Sequence, residues 1–357
     1  MTLPPDNPIP NPVTRPIVII GGGGIVRDAH LPAYRKGGLE IVAIVDRDRA
    51  QAKKTAETFG VPWSGSSIPE ALQRTSSDVI FDVAVPAHAI LSVLEQLPHG
   101  AAVLIQKPMG TSLAEAESIL ALCRTQRLTA AVNFQLRWAP NMVAARDFYE
   151  RGILGQVHDI EVQVSVHTPW ELWSFLSTAP RLEILYHSIH YVDLVRSWFG
   201  DPQRVYAKTV RNPHTPELAA TKSVIILDYG EWARAYIATN HSQRFSAAHQ
   251  HSYVQWEGTD NAMRAQMGVN LDYPKGRPDT LELLHAPGGT GSTSIALEGN
   301  WFPDAFLGCM MSLQRFVAGE TNVLPTRVED AIQTMRVVEA VYRASLMGGE
   351  YIPVTVG

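Results

Sequence analysis

The chain has 357 residues, a length that suits two domains better than one small core. Hydrophobic residues make up 45% and charged residues 18%, the balance of a globular protein rather than of a fibre or a disordered chain. Lys and Arg number 30 against 35 Asp and Glu, for a net charge of −5, and the basic residues are scattered rather than gathered into a stripe, so no nucleic-acid partner is expected.

The opening MTLPPDNPIPNPVTRP lacks the apolar core of a secretory signal. Its Pro4, Pro5, Pro8, Pro10, Pro12 and Pro16 stiffen it, and residues 1–15 are expected as a tail, or as an arm around a neighbouring subunit. Short continuous apolar runs follow at 17–20, 41–45, 79–85, 102–105 and 129–132. Such runs indicate strands covered on both faces. Helical patterns at 28–37, 48–59, 67–74, 87–97 and 112–125 alternate with them. The alternation predicts an α/β doubly wound parallel sheet, a Rossmann domain over 16–135. After Asn133 the rhythm changes: a helix over 141–151 is stopped by Gly152, then strands come in succession at 157–167, 203–210, 222–229, 233–240, 252–257 and 280–285. Asp228-Tyr229-Gly230-Glu231 is one hairpin signal among them. Helices over 302–318 and 327–347 close the chain, the last stopped by Gly348-Gly349. Residues 136–357 are thus expected as an α+β domain with a large open, mostly antiparallel sheet. No run of about 18 apolar residues occurs, so no membrane span is expected. The two cysteines, Cys123 and Cys309, stand in unrelated contexts. They suggest neither a zinc knuckle nor a redox pair, and their scarcity fits the cytoplasm.

Gly21-Gly22-Gly23-Gly24-Ile25-Val26 follows the first strand directly. Glycine permits a tight turn and close approach of phosphate oxygens to backbone amides, and the next helix offers its N-terminal N–H groups. Gly21, Gly23, Gly24 and Ile25 are therefore candidate dinucleotide contacts, with Val26 in the usual third small-residue position. Asp46 ends the second strand, 20 residues beyond Val26. A carboxylate there accepts hydrogen bonds from ribose hydroxyls and repels a 2′-phosphate, which argues for NAD; Arg47 and Arg49 beside it leave NADP possible. Pro86 and His88 end the third of these strands, Gln106-Lys107-Pro108 the fourth, and Asn133 follows the fifth. Ligands gather at such strand ends. Lys107 precedes proline, so its backbone is held extended and its side chain aimed. Its amine can bind a reacting oxygen, polarise a carbonyl or take a hydroxyl proton. Further along, Tyr186, His190 and Asp193 stand at i, i+4 and i+7 with His187 beside them, one face if the segment is helical. Imidazole suits proton transfer; a metal triad and a purely structural histidine pair are the alternatives. Gln135, Arg137, Trp170, Trp173 and Asp304 complete the candidate substrate contacts, each with a structural role as the alternative.

The ordered set Gly21-x-Gly23, Asp46, Pro86 with His88, Lys107-Pro108, Asn133 and His190-x-x-Asp193 resembles the glucose–fructose oxidoreductase/inositol dehydrogenase/rhizopine-catabolism family over about residues 16 to 354. The resemblance implies a Rossmann domain, then a domain whose open sheet binds substrate at one end and mediates a homodimer or homotetramer. It implies NAD(P)-dependent hydride transfer at a hydroxyl-bearing carbon of a sugar, polyol or derivative. Redox-assisted sugar cleavage or epimerisation, and non-catalytic cofactor sensing, are further activities within the family. Lys107 matches the lysine of the family's Glu-Lys-Pro motif, with Gln106 replacing the acid, and His190 matches the second catalytic residue. Tyr186 stands where the family often has aspartate; a phenol is the poorer base but can donate a hydrogen bond to substrate.

Overall fold

The computed structural model describes residues 14–348 apart from 174–175, 274, 287–288 and 290. The tail or arm expected at the N-terminus lies, over residues 1–13, outside the described residues.

The first half builds β1 (Ile17–Ile20), a π turn at Val26–His30 leading into α1 (Leu31–Lys36), β2 (Ile41–Val45), α2 (Arg49–Phe59), β3 (Trp63–Gly65), α3 (Ile68–Arg74), β4 (Ile80–Val83), α4 (Ile90–Leu94), β5 (Ala102–Ile105), α5 (Leu113–Thr125) and β6 (Thr129–Val132). The strands pair in parallel in the order β3-β2-β1-β4-β5-β6, the doubly wound arrangement. Every residue of β1, β4 and β5 is buried, which is why these strands read as unbroken apolar runs. Helix starts follow from side-chain caps: Asp48 accepts from the amides of Ala50 and Gln51, Ser67 from Glu70, and Ser112 from Glu115. The helix expected at 87–97 is shorter, a 3₁₀ turn at Ala87–Ala89 followed by α4. β3 was not anticipated; three residues centred on Ser64 carry no apolar pattern, and pairing with β2 alone defines them.

The second half begins with α6 (Pro140–Glu150) and β7 (Val157–Ser165). A π turn at Ile184–Ser188 leads into α7 (Ile189–Phe199), then come β8 (Arg204–Val210), β9 (Lys222–Asp228), β10 (Arg234–Asn240), β11 (His251–Gly258), β12 (Asn261–Gln266), β13 (Thr280–His285), β14 (Ser292–Ser294), α8 (Trp301–Val317) and α9 (Val328–Met347). The sheet order is β14-β13-β12-β11-β7-β10-β9-β8, antiparallel throughout except for the β7–β10 pair. Alternation puts Ile160, Val162, Ile225, Leu227, Ile237, Val254 and Trp256 in the core, while Tyr206, Val224 and Ile226 face outward, exposed. The sequence did not reveal β12, which has no β-branched or aromatic residue, or β14, an exposed Ser-Thr-Ser edge.

Of the two carboxyl-terminal helices, α9 packs against β8 of the second sheet but α8 does not stay with that sheet. α8 turns back so that Phe306, Cys309, Met310 and Leu313 join Ile17, Ile19 and Ile44 in the core on one face of the parallel sheet. Among the described residues no helix is long and apolar enough to cross a membrane.

Candidate active site

The glycine turn is rigid where it leaves β1. Gly21 has φ +112°, and an added Cβ would lie within 2.8 Å of the Ala84 carbonyl carbon at the end of β4 and closer still to its oxygen. Only glycine fits there. The Gly22 carbonyl accepts hydrogen bonds from Arg27 Nη1 (3.1 Å), Gln51 Nε2 (2.8 Å) and Thr55 Oγ1 (3.1 Å). Its amide donates to Asp46 Oδ2 at 2.6 Å, and the other Asp46 oxygen accepts from the Asp48 amide at 2.9 Å. At Gly23, by contrast, an added Cβ would meet no atom within 4 Å. Gly24 is exposed and Ile25 half-buried at the head of the helix, and Arg47 is exposed beside Asp46. Val26, the bulky residue where a small one is usual, is fully buried and begins the π turn, whose backbone is wider than an α-helix. A cradle open at Gly23, closed at Gly21 and flanked by a half-buried carboxylate fits a dinucleotide.

The ends of β4, β5 and β6 lie along the same edge. Pro86 and His88 are exposed there. Asn133 is fully buried; its backbone amide donates to Ile105 at 2.7 Å, yet neither polar atom of its side chain has a partner. Gln135, in the following 3₁₀ turn, is buried with its Oε1 unpartnered. Lys107 reaches across to the second half of the chain, where Nζ donates to the Tyr186 carbonyl oxygen at 2.7 Å. Burial without a compensating carboxylate lowers its pKa from 10.5 to about 8.

The segment carrying the histidines is helical, as its spacing suggested, but opens with the π turn that holds Tyr186 and His187. His190 is buried against Trp301, ring centroids 5.7 Å apart, and its Nδ1 has no partner. Burial first, and the Lys107 charge second, hold its pKa well below the ordinary imidazole value. His187 is held low in the same way by burial, then by His241, Lys107 and His190. The Tyr186 phenol is pushed upward, chiefly by burial. Lys107, the Tyr186 backbone, His187 and His190 thus form one electrostatic neighbourhood.

Three expected substrate contacts, Asp193, Arg137 and Asp304, are engaged in ion pairs. The two Asp193 oxygens take Arg137 Nε and Nη2, each at 2.7 Å, and Thr334 donates to Oδ1 at 3.1 Å. Arg137 also binds Asp330 at 2.9 Å and the Pro325 carbonyl at 3.2 Å, so the pair braces the junction of the two halves. A bidentate buried pair leaves neither partner free for substrate. Asp304 accepts from the Asn300 amide at 2.9 Å and pairs with Lys36 at 2.7 Å, tying α8 to α1. Trp170 is largely a wall residue, packed with Leu176, Leu182 and Leu218 and edge-on to His187 at 5.0 Å. Trp173 packs on Tyr273 at 5.3 Å.

Several residues near the site carried no earlier assignment. His241 lies behind His187, ring centroids 4.3 Å apart, with Thr168 Oγ1 at 2.8 Å from its Nδ1 and the buried Glu183 at 3.7 Å from its Nε2. Glu183 accepts from Ser188 Oγ at 2.6 Å, and burial raises its pKa. No local pattern could link residues so far apart in sequence. On the other side, Gln106 Nε2 meets His30 Nε2 at 3.2 Å, and His30 Nδ1 meets Asp82 Oδ2 at 2.7 Å. Here a signal existed: Asp82 is a carboxylate inside an otherwise apolar strand. Among the described residues no three metal-ligating side chains converge.

Residues 15–134 match the family model described as an oxidoreductase family with an NAD-binding Rossmann fold, and residues 142–262 match the GFO/IDH/MocA C-terminal domain. The chain belongs to this family. Its first half is accordingly an NAD-binding domain, and the protein is an oxidoreductase. A D-apiose dehydrogenase of Paraburkholderia graminis is 25% identical over 342 residues, 92% of this chain and 87% of that protein. Two solved structures share the fold: an oxidoreductase from Agrobacterium radiobacter in complex with NAD+, L-tartaric acid and magnesium (TM-score 0.76, 19% identity, 94% of this chain and 97% of that one), and the aldose–aldose oxidoreductase of Caulobacter crescentus complexed with glycerol (TM-score 0.78, 18% identity, 94% and 98%).

Proposed function

We propose that this family member moves a hydride between NAD and a hydroxyl-bearing carbon of a sugar, polyol or sugar derivative. The observation that carries the reading is the buried Lys107 amine, hydrogen-bonded to the Tyr186 carbonyl four residues before His190, at the carboxyl edge of a parallel sheet that also bears the dinucleotide cradle. The kinship with a D-apiose dehydrogenase, and the glycerol-complexed aldose–aldose oxidoreductase of like fold, support a polyhydroxy substrate.

In this reading Gly23, Gly24 and Ile25 hold the pyrophosphate, Gly21, its amide bonded to the Val45 carbonyl, shapes the turn beneath it, Asp46 holds the adenosine ribose, and Pro86, His88, Gln106 and Asn133 border the nicotinamide end. The paired Asp46 favours NAD over NADP despite Arg47. Bound NAD supplies the hydride acceptor at C4 of its ring. Lys107, titrating near neutrality, takes the hydroxyl proton as the free amine and returns it as the ammonium. His190, uncharged at neutral pH, accepts or donates one hydrogen bond to the same oxygen. Tyr186, His187, Gln135 and Trp173 shape the substrate side, and residues 136–357 carry substrate binding and subunit contacts. The test is a panel of sugars, polyols and sugar acids with NAD+ and NADP+, followed at the absorbance of the reduced nicotinamide. Turnover lost in Lys107→Ala with NAD affinity kept supports the assignment; unchanged turnover with the preferred substrate overturns it.

A further inference from the structure

A chain of buried hydrogen bonds runs from the middle of the parallel sheet to the backbone of Lys107, and chemistry fixes its direction at each link. The Lys107 backbone N–H can only donate, so the Gln106 atom it meets at 2.7 Å is the carbonyl oxygen Oε1. The other end of that amide is then Nε2, which can only donate, and it points at His30 Nε2 at 3.2 Å. His30 Nε2 is therefore a lone pair, the ring proton sits on Nδ1, and Nδ1–H donates to Asp82 Oδ2 at 2.7 Å. Tyr34 donates to the same oxygen at 2.8 Å. His30 and Asp82 are fully buried, Gln106 nearly so. The Phe306 ring of α8 packs on the imidazole at 4.9 Å. The titratable groups gathered here are Asp82 from β4, Tyr34 from α1 and the Cys309 thiol from α8.

We propose that His30 and Asp82, acting through Gln106, are positioning residues for Lys107, and that glutamine at position 106 is matched to a neutral His30 protonated on Nδ1. The inference rests on the reading of Lys107 as the proton-handling group. His30 belongs to the π turn that follows the dinucleotide cradle. The relay therefore ties the helix at the pyrophosphate to the strand end that aims the amine. An ionised acid at 106 would set an oxygen against the Nε2 lone pair, a conflict relieved when either the ring or the acid takes a proton. Glutamine removes that need while keeping both hydrogen bonds.

The test begins without any substrate. In the full chain with ring-¹⁵N histidine, nitrogen shifts distinguish the two neutral tautomers from the imidazolium, and His30→Gln assigns the signal by its loss. The expected result between pH 6.5 and 8.5 is the Nδ1–H tautomer in the wild type and, in Gln106→Glu, either the imidazolium beside an ionised carboxylate or the same tautomer beside a protonated carboxyl, read from the ¹³C shift of the new carboxyl group. The Nε2–H tautomer in the wild type, or a neutral ring beside an ionised carboxylate in Gln106→Glu, overturns the relay. Positioning is read separately, with the substrate found in the panel above. His30→Ala and Gln106→Met should each lower kcat at least tenfold, and in His30→Ala the KM for NAD+ should stay within threefold of wild type. His30→Gln, which keeps an acceptor for Gln106, should recover most of that loss. If the variants lower only the melting temperature, with kcat per folded molecule unchanged, the residues are structural and the proposal fails. Should His30→Ala not fold, Gln106→Met carries the same comparison. Absence of turnover by any polyhydroxy compound would count against the redox reading instead, and would leave the tautomer result standing.

Discussion

Two glycines two residues apart should respond to the same substitution in opposite ways. Gly21→Ala forces a φ of +112° on an L-residue and drives a methyl group into the Ala84 carbonyl. The backbone strain is worth about 1–3 kcal/mol, and the overpacking about 1–3 kcal/mol more. A loss of about 2–6 kcal/mol corresponds, at about 2 °C per kcal/mol for a chain of this size, to a fall of about 4–12 °C in melting temperature. Gly23→Ala meets nothing within 4 Å. The apo protein should keep its melting temperature or gain slightly, because alanine restricts the unfolded chain by about 0.4–1 kcal/mol. Yet the methyl group fills the space through which phosphate oxygens approach the backbone, and NAD affinity should fall at least tenfold, about 1.4 kcal/mol. Scanning calorimetry of the apo protein and titration of NADH fluorescence measure the two effects separately. A Gly23→Ala protein that binds NADH with wild-type affinity would refute the placement of the pyrophosphate, and a Gly21→Ala protein that melts with the wild type would refute the close packing of the turn on Ala84.

Lys107→Met should raise stability at pH 7. The folded pKa of about 8 lies below the ordinary lysine value of 10.5, so the charged amine is penalised in the folded state by up to about 3 kcal/mol. That penalty is complete below pH 8 and disappears as pH rises toward 10.5, because there the unfolded chain binds more protons. Melts of the two proteins should therefore converge at alkaline pH, and a constant gap would disprove the cause. For the same reason alcohol oxidation should rise with pH through a midpoint near 8 and level off above it. Arg137→Ala strands the buried Asp193 and should destabilise by about 3–5 kcal/mol, with substrate KM per folded molecule unaltered; a KM effect without a thermal shift would restore Arg137 as a substrate ligand. Asp46→Ala should weaken NAD about tenfold and narrow the gap between NAD and NADP, since it removes an acceptor and a charge. Competition titrations with the two cofactors decide this.

Much of the fold could be read because its determinants are local. Strands buried on both faces leave continuous apolar runs, as at Ile17–Ile20 and Ala102–Ile105, and helices begin at Asp48, Ser67 and Ser112 for reasons visible within four residues. β12 and β14 are strands only because β11 and β13 offer them partners, and no local propensity marks them. The site divides in the same manner. Lys107 and the glycine turn sit at strand ends that the pattern locates. The orientation of Asp193 depends on Arg137, 56 residues earlier, and the His187–His241 contact on two separate segments. Helical spacing put Asp193 beside His190, and nothing local announced the long-range bidentate pair that engages it.

The path of α8 has a consequence for how the protein can be made and divided. A fragment ending after β6 would carry every strand of the nucleotide-binding sheet and still leave Ile17, Ile19 and Ile44 without Phe306, Met310 and Leu313, residues synthesised far later. On the ribosome, that flank is therefore covered only by α1 and α2 until α8 emerges.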